Sequence, residues 1–331
     1  MAVVAITDST LGTGVEEEML EADRHTVRRL GCDTEADLIA AACGADALIV
    51  QWAPITAAVL DALPTVRFVS RLGIGVDMVD LEAASARGVA VANTPDYCVD
   101  EVVAHSLAFI LGATRGIVQH DRALRAGAWE SVASYPTANR PAHQTVAVIG
   151  LGRIGGRVAS QLVGLGYTVL GVDPIEAPPP GVGSASLAEA LASADIVTLH
   201  APLTTATRHL IDATALATMQ PSAILVNTCR GPLIDTEALL AALDARTIGG
   251  AMLDVFEREP LEPTSRLLAS DRVVVSAHAA WYSPAALVDL PRRAAAQTVD
   301  FLAGRPVPTI VNPEYRSAIG GKKEEGTWTT R

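Results

Sequence analysis

Lysine is all but missing. The chain has 331 residues, and its only lysines are Lys322 and Lys323, both in a polar C-terminal stretch. A Schiff-base enzyme needs a lysine desolvated within its core. A P-loop of the G-x-x-x-x-G-K-[ST] kind needs one beside the phosphates. Pyridoxal-phosphate chemistry and nucleotide hydrolysis of that type are therefore excluded.

Cysteine is scarce. Cys32, Cys43, Cys98 and Cys229 show no C-x-x-C spacing and no histidines at metal-ligand intervals. They read as reduced thiols, with no zinc site and no disulfide framework. The acidic residues lack the EF-hand spacing, so no metal is expected. No apolar run reaches the roughly 18 residues that span a bilayer. The opening MAVVAITDST has no basic segment followed by a long apolar one, so no signal peptide is expected. These absences point to a cytoplasmic protein without a membrane partner. Positive charge is also in short supply: 25 lysines and arginines face 37 acidic residues, a net charge of −12. A nucleic-acid binder usually shows a basic face, and no such partner is expected here.

What is present is a globular composition, half apolar and 19% charged, with a mean hydropathy of +0.31. The length exceeds one ordinary core and suggests two domains of roughly 150 residues. Short apolar runs at 3–7, 47–50, 67–70, 89–92, 145–149, 168–172, 195–199, 223–226, 250–254 and 272–276 read as strands. Helical patterns such as 101–114, 155–165 and 236–245 lie between them. This alternation predicts an α/β protein of parallel sheets with helices on both faces. One boundary falls near Asn93-Thr94-Pro95, where a strand pattern gives way to a long helix. A second crossing falls near Ser283-Pro284. The first domain is then discontinuous, formed by 1–95 and 285–316; the second spans 96–284, and 317–331 is a polar tail.

The strongest local signal is a β-branched strand running into Gly150-Leu151-Gly152-Arg153-Ile154-Gly155 and then a helix. Gly150 permits the tight turn. Gly152 admits a pyrophosphate to the backbone, and Gly155 lets helix and strand pack closely. Asp173 ends the next strand, 18 residues past Gly155, near the spacing at which an acidic residue accepts the ribose hydroxyls. A carboxylate there repels a 2′-phosphate, so the predicted cofactor is NAD and the 96–284 domain is its binding domain.

Three further residues follow predicted strands, at the edge where ligands bind in such sheets: Arg230, Glu259 and His278. A guanidinium fork can hold a carboxylate and polarise an adjacent carbonyl. A histidine can exchange a proton with that oxygen, and a glutamate can orient the ring and stabilise the imidazolium. Each position alone also fits an ordinary loop residue; the combination fits a 2-oxo acid. His200 ends the 195–199 strand and is placed near the cofactor edge. His105 lies mid-helix and reads as a packing residue. Cys229 has no base beside it, so no covalent role is assigned.

These features resemble the D-2-hydroxyacid dehydrogenase family over nearly the whole chain. The resemblance is carried by Arg71-Leu72-Gly73-Ile74-Gly75-Val76-Asp77, the glycine fingerprint, Asn227-Thr228-Cys229-Arg230-Gly231-Pro232-Leu233-Ile234-Asp235, and Asp254-Val255-Phe256-Glu257-Arg258-Glu259-Pro260 leading to His278. Pro95-Asp96-Tyr97-Cys98 and Ala277-His278-Ala279-Ala280-Trp281-Tyr282-Ser283 are similar to the branch that holds the C-terminal-binding-protein corepressors and their bacterial dehydrogenase relatives. The resemblance implies Arg230 as the substrate arginine, Glu259 (not Glu257) as the histidine's partner and His278 as the proton donor or acceptor. It implies a carboxylate pocket at the amides of Ile74 and Gly75, and specificity positions at Tyr97 and Trp281. For the cofactor it implies Arg153 and Ile154 at the pyrophosphate, and Ala201, Pro202 and Thr207 beside the adenosine. Backbone contacts at Thr228 and Cys229 and a nicotinamide contact at Asp254 complete that set.

The fold so implied is α/β, two Rossmann- or flavodoxin-like parallel-sheet domains around a cleft. The activity so implied is hydride transfer between nicotinamide and C2 of a small D-2-hydroxy acid or 2-oxo acid, by a homodimer. The aromatic walls favour an apolar or small substituent. Two other readings stay open: a dehydrogenase for a phosphonate-type hydroxy acid, and an NAD(H)-sensing, corepressor-like binding protein that would tolerate loss of His278.

Overall fold

A computed structural model describes residues 1–32, 34–129 and 139–318. The chain divides into two compact units, Met1–Tyr97 with Ser283–Arg331, and Cys98–Tyr282.

In the first unit, strands β1 (Val3–Ile6), β2 (Thr26–Arg29), β3 (Ala47–Val50), β4 (Phe68–Arg71) and β5 (Ala90–Ala92) alternate with helices α1 (Val15–Ala22), α2 (Glu35–Ala41), α3 (Ala57–Ala62) and α4 (Leu81–Ala86). The strands form one parallel sheet in the order β2-β1-β3-β4-β5. Successive side chains point to opposite faces, and both faces are apolar. Ala5, Leu48, Val50, Val69 and Val91 pack on one side; Val4, Ile6, Ala47, Ile49, Phe68 and Ala90 pack on the other. A strand buried on both faces loses the alternation of a half-exposed one and reads as a continuous apolar run.

In the second unit, α5 (Val99–Thr114) and α6 (Ile117–Arg125) precede β6 (Thr145–Ile149), α7 (Arg153–Gly164), β7 (Thr168–Val172), β8 (Gly183–Ser184), α8 (Leu187–Ser193) and β9 (Ile196–Leu199). Then come α9 (Ala213–Thr218), β10 (Ile224–Asn227), α10 (Thr236–Asp244), β11 (Gly250–Leu253), α11 (Arg266–Ala269) and β12 (Val273–Val275). The parallel sheet runs β12-β11-β10-β9-β6-β7-β8, with Ala147, Val197, Leu225 and Ala251 on one face and Val146, Val148, Ile196 and Val226 on the other. The order reverses between β6 and β9, which makes the carboxyl ends of those two strands the expected ligand crevice.

The chain then returns to the first unit as α12 (Pro284–Leu302) and α13 (Tyr315–Ala318). Ser283 caps α12 through the Ala286 N–H. Ser70 on β4 donates to the Ala294 carbonyl and accepts from Gln297, and Phe68 stacks on Phe301 at 4.4 Å. Asn312, buried, accepts the Val91 N–H at 2.7 Å and donates to Val89 and Ser85. Of the segment read as a polar tail, Ser317 and Ala318 belong to α13, and 319–331 lie outside the described residues.

Candidate active site

The glycine turn follows β6 at the sheet's switch point. Gly150 has φ 94°, and a Cβ there would meet the His200 carbonyl at 2.7 Å. A Cβ on Gly155 would lie 1.9 Å from the Gly150 oxygen. Both positions are closed to any side chain by the backbone packed against them. Gly152 is different: a Cβ there would meet nothing within 4 Å. Gly152 is also the N-cap of α7, and no side chain caps that helix. Its first-turn N–H groups have no intrahelical acceptor and carry the positive end of the helix dipole. Open space beside such a terminus fits a pyrophosphate.

Asp173 closes the other side. One carboxylate oxygen accepts the Leu151 N–H at 2.7 Å, and the other accepts those of Ile175 and Glu176 at 2.8 and 2.9 Å. Burial alone would raise its pKa, but these three backbone donors outweigh burial and hold it below the ordinary carboxylate value. The ionised group has further lone pairs for a ribose hydroxyl. His200, at the end of β9, is pushed down to about 4 by burial, so its imidazole is neutral at physiological pH; it pairs with Thr198 at 3.0 Å. The Ala201 carbonyl accepts from the Cys229 thiol at 2.9 Å, and Thr207 donates to the Pro202 carbonyl at 2.6 Å. Thr228 meets Ser106 at 2.7 Å. The glycine cradle, the uncapped helix and the carboxylate together suit a dinucleotide.

Arg230, Glu259 and His278 follow β10, β11 and β12, three neighbouring strands. Fully buried Asn227 shapes the first loop: its Nδ2 donates to the Arg230 carbonyl at 2.8 Å, and its Oδ1 accepts the Cys229 N–H at 3.0 Å. Arg230 donates to the Cys229 carbonyl at 2.8 Å. Gly231 has no room for a Cβ, which would lie 1.9 Å from the Phe256 carbonyl carbon. That contact locks the Arg230 loop onto the segment that leads to Glu259. Glu259 accepts the Phe256 N–H at 2.8 Å with one oxygen and meets His278 Nδ1 at 2.6 Å with the other. His278 has φ 49°, a region that side-chain-bearing residues seldom enter. Asp254, 1% exposed, holds that turn in place. Its carbonyl accepts the His278 N–H, and its carboxylate accepts those of Ala279 and Ala280. Trp281 lies edge-on to Tyr282 at 5.9 Å.

In the first unit, the loop after β4 is pinned by its carbonyls. Thr94 N–H donates to Gly73 O at 2.9 Å, and Asn93 Nδ2 donates to Ile74 O at 2.7 Å. Among the described residues, the N–H groups of Ile74 and Gly75 meet no acceptor. Such a pair suits an anionic oxygen. Tyr97 packs against the core that contains Val4, Phe68 and Leu290. Among the described residues, no cluster of three or more His, Cys, Asp or Glu could hold a metal. No single described helix is long and apolar enough to cross a membrane.

Residues 107–280 match the family model described as D-isomer specific 2-hydroxyacid dehydrogenase, NAD binding domain. The chain belongs to the D-isomer specific 2-hydroxyacid dehydrogenase family. It is 37% identical to a glyoxylate reductase of Thermofilum pendens, over 78% of this chain and 79% of that one. It is 39% identical to a D-3-phosphoglycerate dehydrogenase of Mycobacterium leprae, over 88% of this chain but only 55% of that longer protein. The TT0316 protein of Thermus thermophilus has a similar structure, with a TM-score of 0.83 and 32% identity over 94% of this chain and all of that one. The protein is thus an NAD-dependent dehydrogenase of 2-hydroxy acids.

Two features of the dehydrogenase escape a reading of the sequence. Glu257 pairs with His209 at 2.7 Å and accepts the Thr236 N–H at 2.9 Å. Burial would raise its pKa, but Thr236 and His209 together hold it below the ordinary value. The Glu257-Arg258-Glu259 segment therefore carries two carboxylates, each with its own histidine. His105, read as a packing residue, points its Nε2 at Ser276. The first pair needs loops from separate strands to converge and the second needs α5 to meet the end of β12, and no spacing signals either.

Proposed function

We propose that this dehydrogenase interconverts a small 2-oxo acid and its D-2-hydroxy acid through Arg230, Glu259 and His278. The observation that carries the reading is the 2.6 Å contact between His278 Nδ1 and Glu259. With Nδ1 engaged there, proton exchange with the substrate is assigned to Nε2. In the reducing direction His278 delivers a proton to the carbonyl oxygen; in the oxidising direction it removes the hydroxyl proton. Glu259 fixes the ring and balances the imidazolium charge. Arg230 holds the carboxylate and polarises the carbonyl. The amides of Ile74 and Gly75 offer the carboxylate further donors. Bound NADH supplies the hydride in the reducing direction.

The cofactor is seated by Gly150, Gly152, Arg153, Ile154 and Gly155 at the pyrophosphate. Asp173 favours NAD over its 2′-phosphorylated form, and Asp254 faces the nicotinamide. Ala201, Pro202 and Thr207 flank the adenosine, His200 lies near the cofactor edge, and Thr228 and Cys229 contribute backbone. The unit of residues 98–282 acts as the cofactor domain and the other as the substrate domain. Tyr97 and Trp281 select an apolar or small substituent. A homodimer is supported by α6, which buries none of its residues and shows Ile117 and Leu124 more than half exposed. The cytoplasm suits the free cysteines.

The test follows NADH absorbance over a panel of 2-oxo acids with the wild type and His278→Ala. We expect turnover that falls by about 10²–10⁴-fold in the variant, the usual span for a general acid–base group. Equal turnover in both would refute the assignment. Highest kcat/KM on a phosphorylated substrate would refute the apolar pocket.

A further inference from the structure

His105 sits on α5 and has been given no part in the reaction so far. Its ring lies edge-on to Phe109, with centroids 4.6 Å apart. Its Nε2 is 3.0 Å from Ser276 Oγ and 3.9 Å from Asp254 Oδ1. Ser276, just past β12, donates its hydroxyl hydrogen to that same Asp254 oxygen.

Donor bookkeeping gives this contact a direction. A hydroxyl has one hydrogen, and a carboxylate can only accept. Since Ser276 gives its hydrogen to Asp254, the hydrogen between Ser276 and His105 must come from His105. The imidazole therefore carries a proton on Nε2. The chain then runs His105 Nε2–H to Ser276 Oγ–H to the Asp254 carboxylate. That carboxylate in turn receives the N–H groups of Ala279 and Ala280 at 2.9 Å each. The next residue back, His278, gives its N–H to the Asp254 carbonyl at 2.8 Å and stands at φ 49°. A conformation of that kind persists only where its surroundings over-determine it. Asp254 does so from three consecutive amides, and His105 is the outer end of the network that fixes Asp254.

We infer that His105 is a positioning residue for the proton-transfer histidine: through Ser276 it holds the Asp254 carboxylate at the angle that fixes the His278 turn. The inference rests on the role given to His278 above. Hydrogen bonds joined in a chain polarise one another, so removing the outer donor weakens the grip of Asp254 on the turn. His278 and Glu259 stay in place chemically but lose registration with the substrate oxygen.

Two substitutions separate positioning from packing. His105→Phe keeps a flat ring against Phe109 and removes the donor. His105→Gln loses the ring and keeps an N–H at similar reach. We expect His105→Phe to lower kcat about tenfold, within the roughly 10²-fold that a 1 Å misplacement can produce. KM and the NADH Kd, read by fluorescence titration, should stay within about twofold. His105→Gln should recover most of the lost kcat. A packing role predicts the opposite ranking, so a Gln variant slower than the Phe variant overturns the inference, as does a Phe variant with wild-type kcat. Amide hydrogen exchange at Ala279 and Ala280 gives a readout without turnover: it should quicken in His105→Phe and not in His105→Gln. If the wild type turns over no 2-oxo acid, the assigned reaction fails; the exchange rates still decide the role of His105, and equal rates in all three proteins overturn it.

Discussion

Glu259 divides its carboxylate between His278 and the chain that carries it: one oxygen meets His278 Nδ1 at 2.6 Å, and the other accepts the Phe256 N–H at 2.8 Å. An amide cannot reproduce this. Glutamine has one acceptor oxygen, so its NH₂ group must face either the Phe256 N–H or the His278 N–H, donor against donor. Glu259→Gln should therefore lower kcat by about 10²-fold, with KM changed only a few-fold. Steady-state kinetics across the same substrate panel check this. A kcat within twofold of the wild type would count against the pairing.

Gly231 and Gly152 should respond in opposite ways to the same added methyl. At Gly231 the Cβ would overlap the Phe256 carbonyl, forcing the Arg230 loop away from the segment that supports Glu259. Gly231→Ala should cost about 3 kcal/mol, as overpacking does, and depress turnover. At Gly152 the Cβ enters open space. Gly152→Ala should leave stability within about 0.5 kcal/mol while weakening NADH binding. Urea denaturation and NADH titration of both variants provide the measurement, and matching stability losses would undo the argument.

Asp173→Ala removes an ionised acceptor that also ties down Leu151. Hydrogen bonds to charged groups contribute roughly 1.5–3 kcal/mol, so the NADH Kd should rise about tenfold or more. The preference for NADH over NADPH should shrink, because the repulsion of a 2′-phosphate is gone. An unchanged ratio of the two dissociation constants would rule out Asp173 as the discriminating group.

His200 links stability to pH. Its folded pKa, about 4, lies below the unfolded value near 6.5. Between those values the unfolded chain binds a proton that the folded one does not. Stability from this group is full above about pH 6.5 and declines as pH falls toward 4. The ring is enclosed but the residue retains some surface, so the loss should be on the order of 1–3 kcal/mol. Asp173 and Glu257, with lowered values, add their losses as pH falls from their unfolded values through their depressed folded ones. His200→Gln should flatten the difference in urea midpoint between pH 7.5 and 5; an equal difference in both proteins would contradict the linkage.

The interior strands were legible because burial on both faces leaves unbroken apolar runs: β3, β6 and β7 have the same ends in sequence and structure, and others differ by a residue. β2 (Thr26–Arg29) was not legible. It is an edge strand with pattern exposed–partial–partial–exposed, and its arginines reach outward to Glu17 and the Cys43 carbonyl. β8 has only two residues, too few for any period. Motifs identified the candidate site because Gly150, Gly155 and Gly231 sit where backbone contacts forbid a side chain, a constraint that leaves a mark in the sequence. His105, Ser276, His209 and Glu257 left none. Their contacts join α5, the β9–α9 loop and the ends of β11 and β12, and ordinary hydropathy suits each of them equally well as surface or packing residues.

The return of the chain through α12 and Asn312 sets the order in which the protein can be completed during synthesis. Every element of the 98–282 unit has been made before Pro284 is added, whereas β4 and β5 wait for Ala294, Gln297 and Asn312 to satisfy Ser70, Val89 and Val91. Domains tend to fold as units while the chain emerges from the ribosome. The unit that contains β1 to β5 is therefore the last to close, and its half-finished sheet is the surface that a nascent chain must keep from aggregating.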